Sequence, residues 1–231
     1  MWLLYVARGG GHHKNSPQEL SHPLIGVFIF YWSSMEKIIG FKKPTNSEFL
    51  ILQKELLTIK SVLSFIDSEL IGKDIIICTQ KTEISFKMET RNIPHLLGIY
   101  YDRGGKALWK DFKRNRLSIR NILIKADGTT FQKLSALHCF EDLFTKPCFL
   151  TGNGKFEKLT FDASIRTGRL LLAIGFKYSD DDQIYYPNTV LNLKSKIIPE
   201  GQKVLAIYTE NPETGKLRYL QKNRKYKIKK Y

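Results

Sequence analysis

The chain has 231 residues, 42% of them hydrophobic and 12% aromatic, which is enough apolar material for one sizeable core and too much for a disordered polymer. Lys and Arg number 37 against 22 Asp and Glu, a net charge of +15; such a surplus draws polyanions toward the surface and says little about fold. No apolar run reaches the ~20 residues of a membrane helix, so no membrane partner is expected. Three cysteines without paired spacing exclude a disulfide framework and a zinc ribbon, and they point to a reducing, cytoplasmic setting.

Residues 1–34 mix an apolar start, a Gly-rich turn carrying His12 and His13, and the patch LIGVFIFYW. They lack the charged start and small-residue cleavage site of a signal peptide. Met35 offers an alternative start, so residues 1–34 read as a non-native or flexible extension and residues 35–231 as one domain with a basic tail. Adjacent histidines in a Gly-rich stretch have no fixed geometry for a metal.

In PTNSEFLILQKELLTIKSVLSF, Phe49, Leu52, Leu56, Ile59 and Leu63 recur at helical spacing. Asn46 or Ser47 is the expected N-cap and Gly72 the stop. KDIIICTQKTEISFK reads as a strand, a tight polar turn and a second strand. PHLLGIYY opens as a short helical turn with Pro94 at an early position. From Lys106 to Thr145 the pattern predicts helix for most of its length, broken at Asp127 and Gly128, with Thr129 or Thr130 capping the second part. That part carries Phe131, Leu134, Leu137 and Phe140 on one face. Beyond Pro147 come short strands with turns at TGNG and SDDD, a hairpin around NPETG and a basic tail. Helices first and an antiparallel sheet later make the fold class α+β.

The chain has no phosphate-binding loop, dinucleotide fingerprint, HExxH or GxSxG motif. SDDD reads as a solvated turn, since a hard cation needs several converging oxygens. Histidine, lysine, arginine and hydroxyl groups remain, and cutting RNA without metal needs little else. A base takes the proton of the 2′-hydroxyl, an acid protonates the departing 5′-oxygen, and cations hold the charge that builds on the phosphoryl oxygens. Histidine suits the proton transfers and arginine the phosphate. The candidates are His95, Lys133, Arg166 and Thr167, with Arg169, Tyr186, Asn188 and Thr189 as substrate contacts. Each has a plainer reading: His95 as a structural cap, Lys133 as a solvated helix lysine, Arg166 in a salt bridge to Asp162. Gly168, between the two arginines, would permit a bulge and a close approach of phosphate.

The ordered set NIPHLLGIYY, TTFQKLSAL, FDASIRTGRLLLAIGF and YYPNTVLNLK resembles a phage- and mobile-element-associated nuclease family of the barnase–EndoU–colicin–RelE-like superfamily, over about Glu48 to Tyr208. The resemblance implies a helical N-terminal portion packed on an antiparallel sheet of about four strands. It implies metal-independent RNA cleavage, with no cofactor, by a toxin or conflict effector. Its partners would be RNA, transfer RNA among it, and an antitoxin or immunity protein. The positions that carry over are His95 in PHLLGI, Lys133 in QKL, and Arg166 and Thr167 in IRTGR. The chain shows no second well-placed histidine, which leaves the general acid to a lysine, a tyrosine or water. The rival reading is an RNA- or DNA-binding or phage-accessory protein with a nuclease-like fold and no catalysis.

Overall fold

The computed structural model describes residues 40–156, 159–169, 171–193 and 200–226. The segment 1–34, His12, His13 and the alternative start at Met35 lie outside the described residues. Strand β1 (Phe41–Lys42) leads into helix α1 (Asn46–Phe65). The N-cap is Thr45 rather than Asn46 or Ser47. Its hydroxyl accepts from the Glu48 N–H, and the Glu48 carboxylate accepts from the Thr45 N–H at 2.9 Å, closing a capping box. Lys42 pairs with Glu48 at 2.8 Å, which ties the strand to the helix. Leu52, Ile59, Val62 and Leu63 are buried from α1, each contributing roughly 1.5–3 kcal/mol. The helix widens into a π segment (Ile66–Leu70), and the chain turns at Gly72 with φ 72°.

Strands β2 (Asp74–Cys78) and β3 (Glu83–Lys87) form the expected hairpin. Helix α2 (Ile93–Leu97) follows, then β4 (Ile99–Tyr101) and helix α3 (Gly104–Lys113). The near-continuous helix expected up to Thr145 is not formed. Strand β5 (Ile122–Lys125) interrupts it, and only the short helices α4 (Thr129–Leu134) and α5 (Asp142–Thr145) come after. In β5 the isoleucines 122 and 124 are buried while Leu123 and Lys125 are half-buried, a period of two. Pairing with β1 on one side and β4 on the other supplies the hydrogen bonds that a helix would have made internally.

From Cys148 on, the regular elements among the described residues are strands: β6 (Cys148–Thr151), β7 (Gly154–Phe156), β8 (Leu159–Phe161), β9 (Ala163–Thr167), β10 (Leu172–Ser179), β11 (Ile184–Asn192), β12 (Gln202–Lys203), β13 (Ala206–Glu210) and β14 (Leu217–Lys222). The class is α+β, but among the described residues the main sheet has nine strands, not about four, in the order β12-β6-β9-β10-β11-β3-β2-β13-β14. The N-terminal hairpin β2–β3 is part of this sheet. All its pairings are antiparallel except β11 with β3, which meet in parallel at Tyr185 and Phe86. Because β3 pairs only near the start of β11, the far half of β11 is flanked by α2 and α4. A bulge sits in that half: Gly175 faces Thr189 and Phe176 faces Pro187, so Asn188 is the extra residue. SDDD forms an exposed turn in which the Ser179 hydroxyl donates to Asp182 at 3.1 Å. Among the described residues no helix is long and apolar enough to cross a membrane.

Candidate active site

Helix α2 is short because its sequence starts and stops it within five residues. Pro94 occupies the first turn, where its missing N–H costs nothing, and Gly98 ends the helix in the left-handed region at φ 69°. Ile93, Leu96 and Leu97 point into the core, which leaves His95 on the exposed side. Helix α4 begins after Asp127 and the left-handed Gly128. The buried Thr130 hydroxyl donates to the Gly98 carbonyl at 2.5 Å and accepts from the Lys125 N–H at 2.8 Å. One side chain thus pins the end of α2 to the end of β5.

Lys133, one turn further on, reaches back over Gly98. Its ammonium donates to the His95 carbonyl at 2.9 Å and to the Thr189 hydroxyl at 3.0 Å. A Cβ on Gly98 would fall 2.6 Å from the Lys133 Cδ, so the glycine serves both its own backbone conformation and the path of the lysine stem. These groups line a cleft of about 290 Å³ between α2, α4 and the free half of β11. Asn188 and Thr189 enter it from the bulged strand, and Phe41, Lys125 and Asp127 close the side toward the small sheet.

Charge in the cleft is tuned by crowding. Burial pushes the Lys133 ammonium down to about 8, with Lys125 adding to the effect and Asp127 opposing it. Burial of the inner side of the ring, then the charges of Lys133 and Lys125, holds His95 below the ordinary histidine value. At neutral pH the imidazole is therefore a free base beside a cation. Asp127 is held below the usual carboxylate range by the Thr129 N–H and hydroxyl, at 3.0 and 2.7 Å, and by Lys125, so it stays ionised. Among the described residues no three His, Cys, Asp or Glu side chains group together as a metal-ligand set.

Of the residues singled out in the sequence, His95, Lys133, Asn188 and Thr189 meet in this cleft. Arg166, Thr167 and Arg169 do not line it. Arg166 stacks on Phe149 at 4.5 Å and has an unpaired Nε, while Asp162 instead accepts from the Tyr178 N–H and from Lys177; the salt bridge between Arg166 and Asp162 is not made. Arg166 pairs across to Ala173, which pairs on to Leu191, a cleft residue. It therefore lies on the same sheet face two strands away, roughly 10 Å. Thr167 is spent on the β9–β10 turn, its hydroxyl accepting from the N–H groups of Leu171 and Leu172. Gly168 belongs to that turn; the bulge next to the cleft is at Asn188 instead. Arg169 is exposed. Tyr186 donates to Asp182 at 3.1 Å and lies under Arg91, near the strand start rather than in the cleft. The sequence reading missed Phe41, Lys125 and Asp127. Asp127 carried a signal only as a helix breaker, and Phe41 carried none, since its position depends on the pairing of β1 with β5.

A family model described as phage-Barnase-EndoU-ColicinE5/D-RelE like nuclease4 matches residues 58–226, well over half of the chain. No curated protein and no solved structure matches it.

Proposed function

The chain belongs to the phage-Barnase-EndoU-ColicinE5/D-RelE like nuclease4 family, and on that footing we propose that it is a metal-independent endoribonuclease acting as a toxin or as an effector in conflicts between phage, mobile elements and host. RNA is the substrate, transfer RNA among the candidates, and an antitoxin or immunity protein is the expected partner. The observation that carries this reading is the Lys133 ammonium, held between the His95 carbonyl and the Thr189 hydroxyl beside an uncharged imidazole.

His95 takes the proton of the 2′-hydroxyl, whose oxygen attacks the adjacent phosphorus. The bond from phosphorus to the 5′-oxygen breaks, leaving a 2′,3′-cyclic phosphate on one fragment. Lys133 stabilises the negative charge on the phosphoryl oxygens and gives its proton to the departing 5′-oxygen, a transfer favoured by a pKa near 8. Asn188 and Thr189 hold the phosphate from the bulged strand. Arg166 contacts a phosphate further along the same strand, one sheet spacing beyond β10. Support for a course without metal comes from the donor set, since Asp127 is the one carboxylate among the described cleft residues and the rest of the charge is cationic.

The test is incubation of the purified protein with total RNA and with transfer RNA in excess chelator, followed by sequencing of the new ends. Cyclic phosphate and 5′-hydroxyl termini are expected. Cleavage that appears only with added magnesium would overturn the mechanism, and salt-sensitive binding with intact RNA would favour a binding protein without catalysis.

A further inference from the structure

Phe41 gives the cleft an aromatic wall that the cleavage chemistry leaves unused. It pairs with Lys125 across β1 and β5 and packs against Tyr100 with ring centroids 6.0 Å apart. The three side chains share the outer face of the small sheet, whose other face sends Ile122 and Ile124 into the core. The position of the ring is fixed from both ends of its strand: by the ladder to β5, and by the Lys42–Glu48 pair with the Thr45 capping box. The Lys125 ammonium rides over the ring at 4.6 Å from the centroid.

The cleft has two chemically different ends. Around His95 and Lys133 it is cationic and suited to phosphate. Asp127, ionised and next to Lys125, repels a phosphate but accepts N–H groups, which the edges of nucleobases supply. We propose that Phe41, backed by Tyr100, forms a nucleobase subsite that takes one unpaired base of a single-stranded substrate beside the scissile phosphate. The proposal rests on the reading of His95 and Lys133 as the cleavage centre. A cleft of about 290 Å³ holds one nucleotide rather than a base pair, so the base must be unstacked and unpaired. An aromatic ring stacks with any base, and the four-carbon stem of Lys125 lets its ammonium leave the ring and follow the phosphate. Phe41 lies ahead of the matched stretch 58–226, whereas Tyr100, Lys125 and Asp127 fall within it, so the stacking ring alone comes from outside that stretch.

The experiment uses the full chain and a short single-stranded deoxyoligonucleotide carrying 2-aminopurine, which lacks the 2′-hydroxyl and cannot be cut by the proposed route. Stacking on Phe41 is expected to quench the probe. Phe41→Leu, which keeps apolar packing on Tyr100, should weaken binding roughly tenfold or more, and Phe41→Trp should restore it. A duplex version of the probe should bind without the quench. Parallel cleavage assays on the ribo-oligonucleotide should show the loss for Phe41→Leu mainly in KM. Equal affinity of wild type and Phe41→Leu, with unfolding curves showing both folded, overturns the subsite. So does equal quenching of the duplex. Quenching that depends on Phe41 in a protein that cuts no RNA would overturn the catalytic reading and leave the subsite standing.

Discussion

The Lys133 ammonium and the His95 carbonyl are joined by a hydrogen bond of 2.9 Å across 38 residues of sequence. The bond sets the distance between α4 and the rim of α2, and it places a cation with depressed pKa beside a histidine with depressed pKa. Burial among the surrounding elements is the main cause of both shifts, and Lys125 from β5 lowers both further. The site is therefore a property of three short elements meeting, and it can be tested at each of them.

Replacing His95 by Ala should lower RNA cleavage by about 10²–10⁴-fold. The side chain is exposed and the hydrogen bond to Lys133 uses the backbone carbonyl, so the midpoint of thermal unfolding should hardly move. A variant that unfolds early and keeps its activity would return His95 to the role of a structural cap.

The pH profile follows from the two depressed groups. His95 must be unprotonated to act as base, so kcat/KM should rise with pH on an acid limb centred below the ordinary 6.5. Lys133 must be protonated, so activity should fall on an alkaline limb near 8. Lys133→Arg keeps a cation that does not titrate in this range, and the alkaline limb should disappear even though the rate drops. An unchanged alkaline limb in that variant would assign it to another group.

Much of the fold was legible because its signals were local. The heptad-like spacing of Leu52, Ile59 and Leu63 marks α1, and the β-branched run Ile75–Ile77 marks β2. Pro94 and the glycine after Leu97 bracket α2, so the exposed place of His95 could be inferred. β5 was hidden because nothing before ILIK marks a break from the preceding helical pattern, the Asp127–Gly128 turn coming only after it, and its partners are 84 and about 23 residues away in β1 and β4. The separation of Arg166 from His95 was hidden for a similar reason. Its motif showed a charge in an apolar strand, but which strand would separate it from His95 is fixed only by the sheet order β9-β10-β11. Lys133 was legible as a candidate from its motif alone; its hydrogen bond to Thr189 depends on where the β11 bulge falls.

Lys133→Met should lower cleavage on the order of a hundredfold or more, and its stability relative to wild type should depend on pH. The reason is linkage. The ammonium has a folded pKa near 8 against an ordinary 10.5, so burial opposes its charge most fully below pH 8. Between about pH 8 and 10.5 the unfolded chain holds a proton that the native state has released, so wild-type stability gains on the variant as pH rises through that window. Urea midpoints of the two proteins at pH 7 and pH 10 measure the difference, and a gap that widens toward pH 10 in favour of the methionine variant would contradict the assignment.

Thr130→Val removes a hydroxyl and changes almost nothing in shape. It leaves the Gly98 carbonyl and the Lys125 N–H without their partner in a buried place, at a cost of about 1–3 kcal/mol for each. Loss of that pin should also let α2 drift from β5, so cleavage should fall at temperatures where the variant is still folded. Chemical denaturation and single-turnover rates at low temperature separate the two effects; full activity with lowered stability would show that the pin serves only the fold.

Arg166 is the remaining discriminating position. As a contact to a phosphate two strands from the cleft, its loss in Arg166→Leu should raise KM and leave kcat nearly unchanged. The slope of log affinity against log salt should fall by about one, as expected when one phosphate contact is removed. The leucine also keeps apolar contact with Phe149, so the sheet face stays covered and the measurement reports charge rather than packing. A large drop in kcat at unchanged KM would place the guanidinium at the scissile phosphate itself. That would require Arg166 to move toward His95 on binding, which a change in protection of the Leu171 and Leu172 amides on adding RNA would reveal.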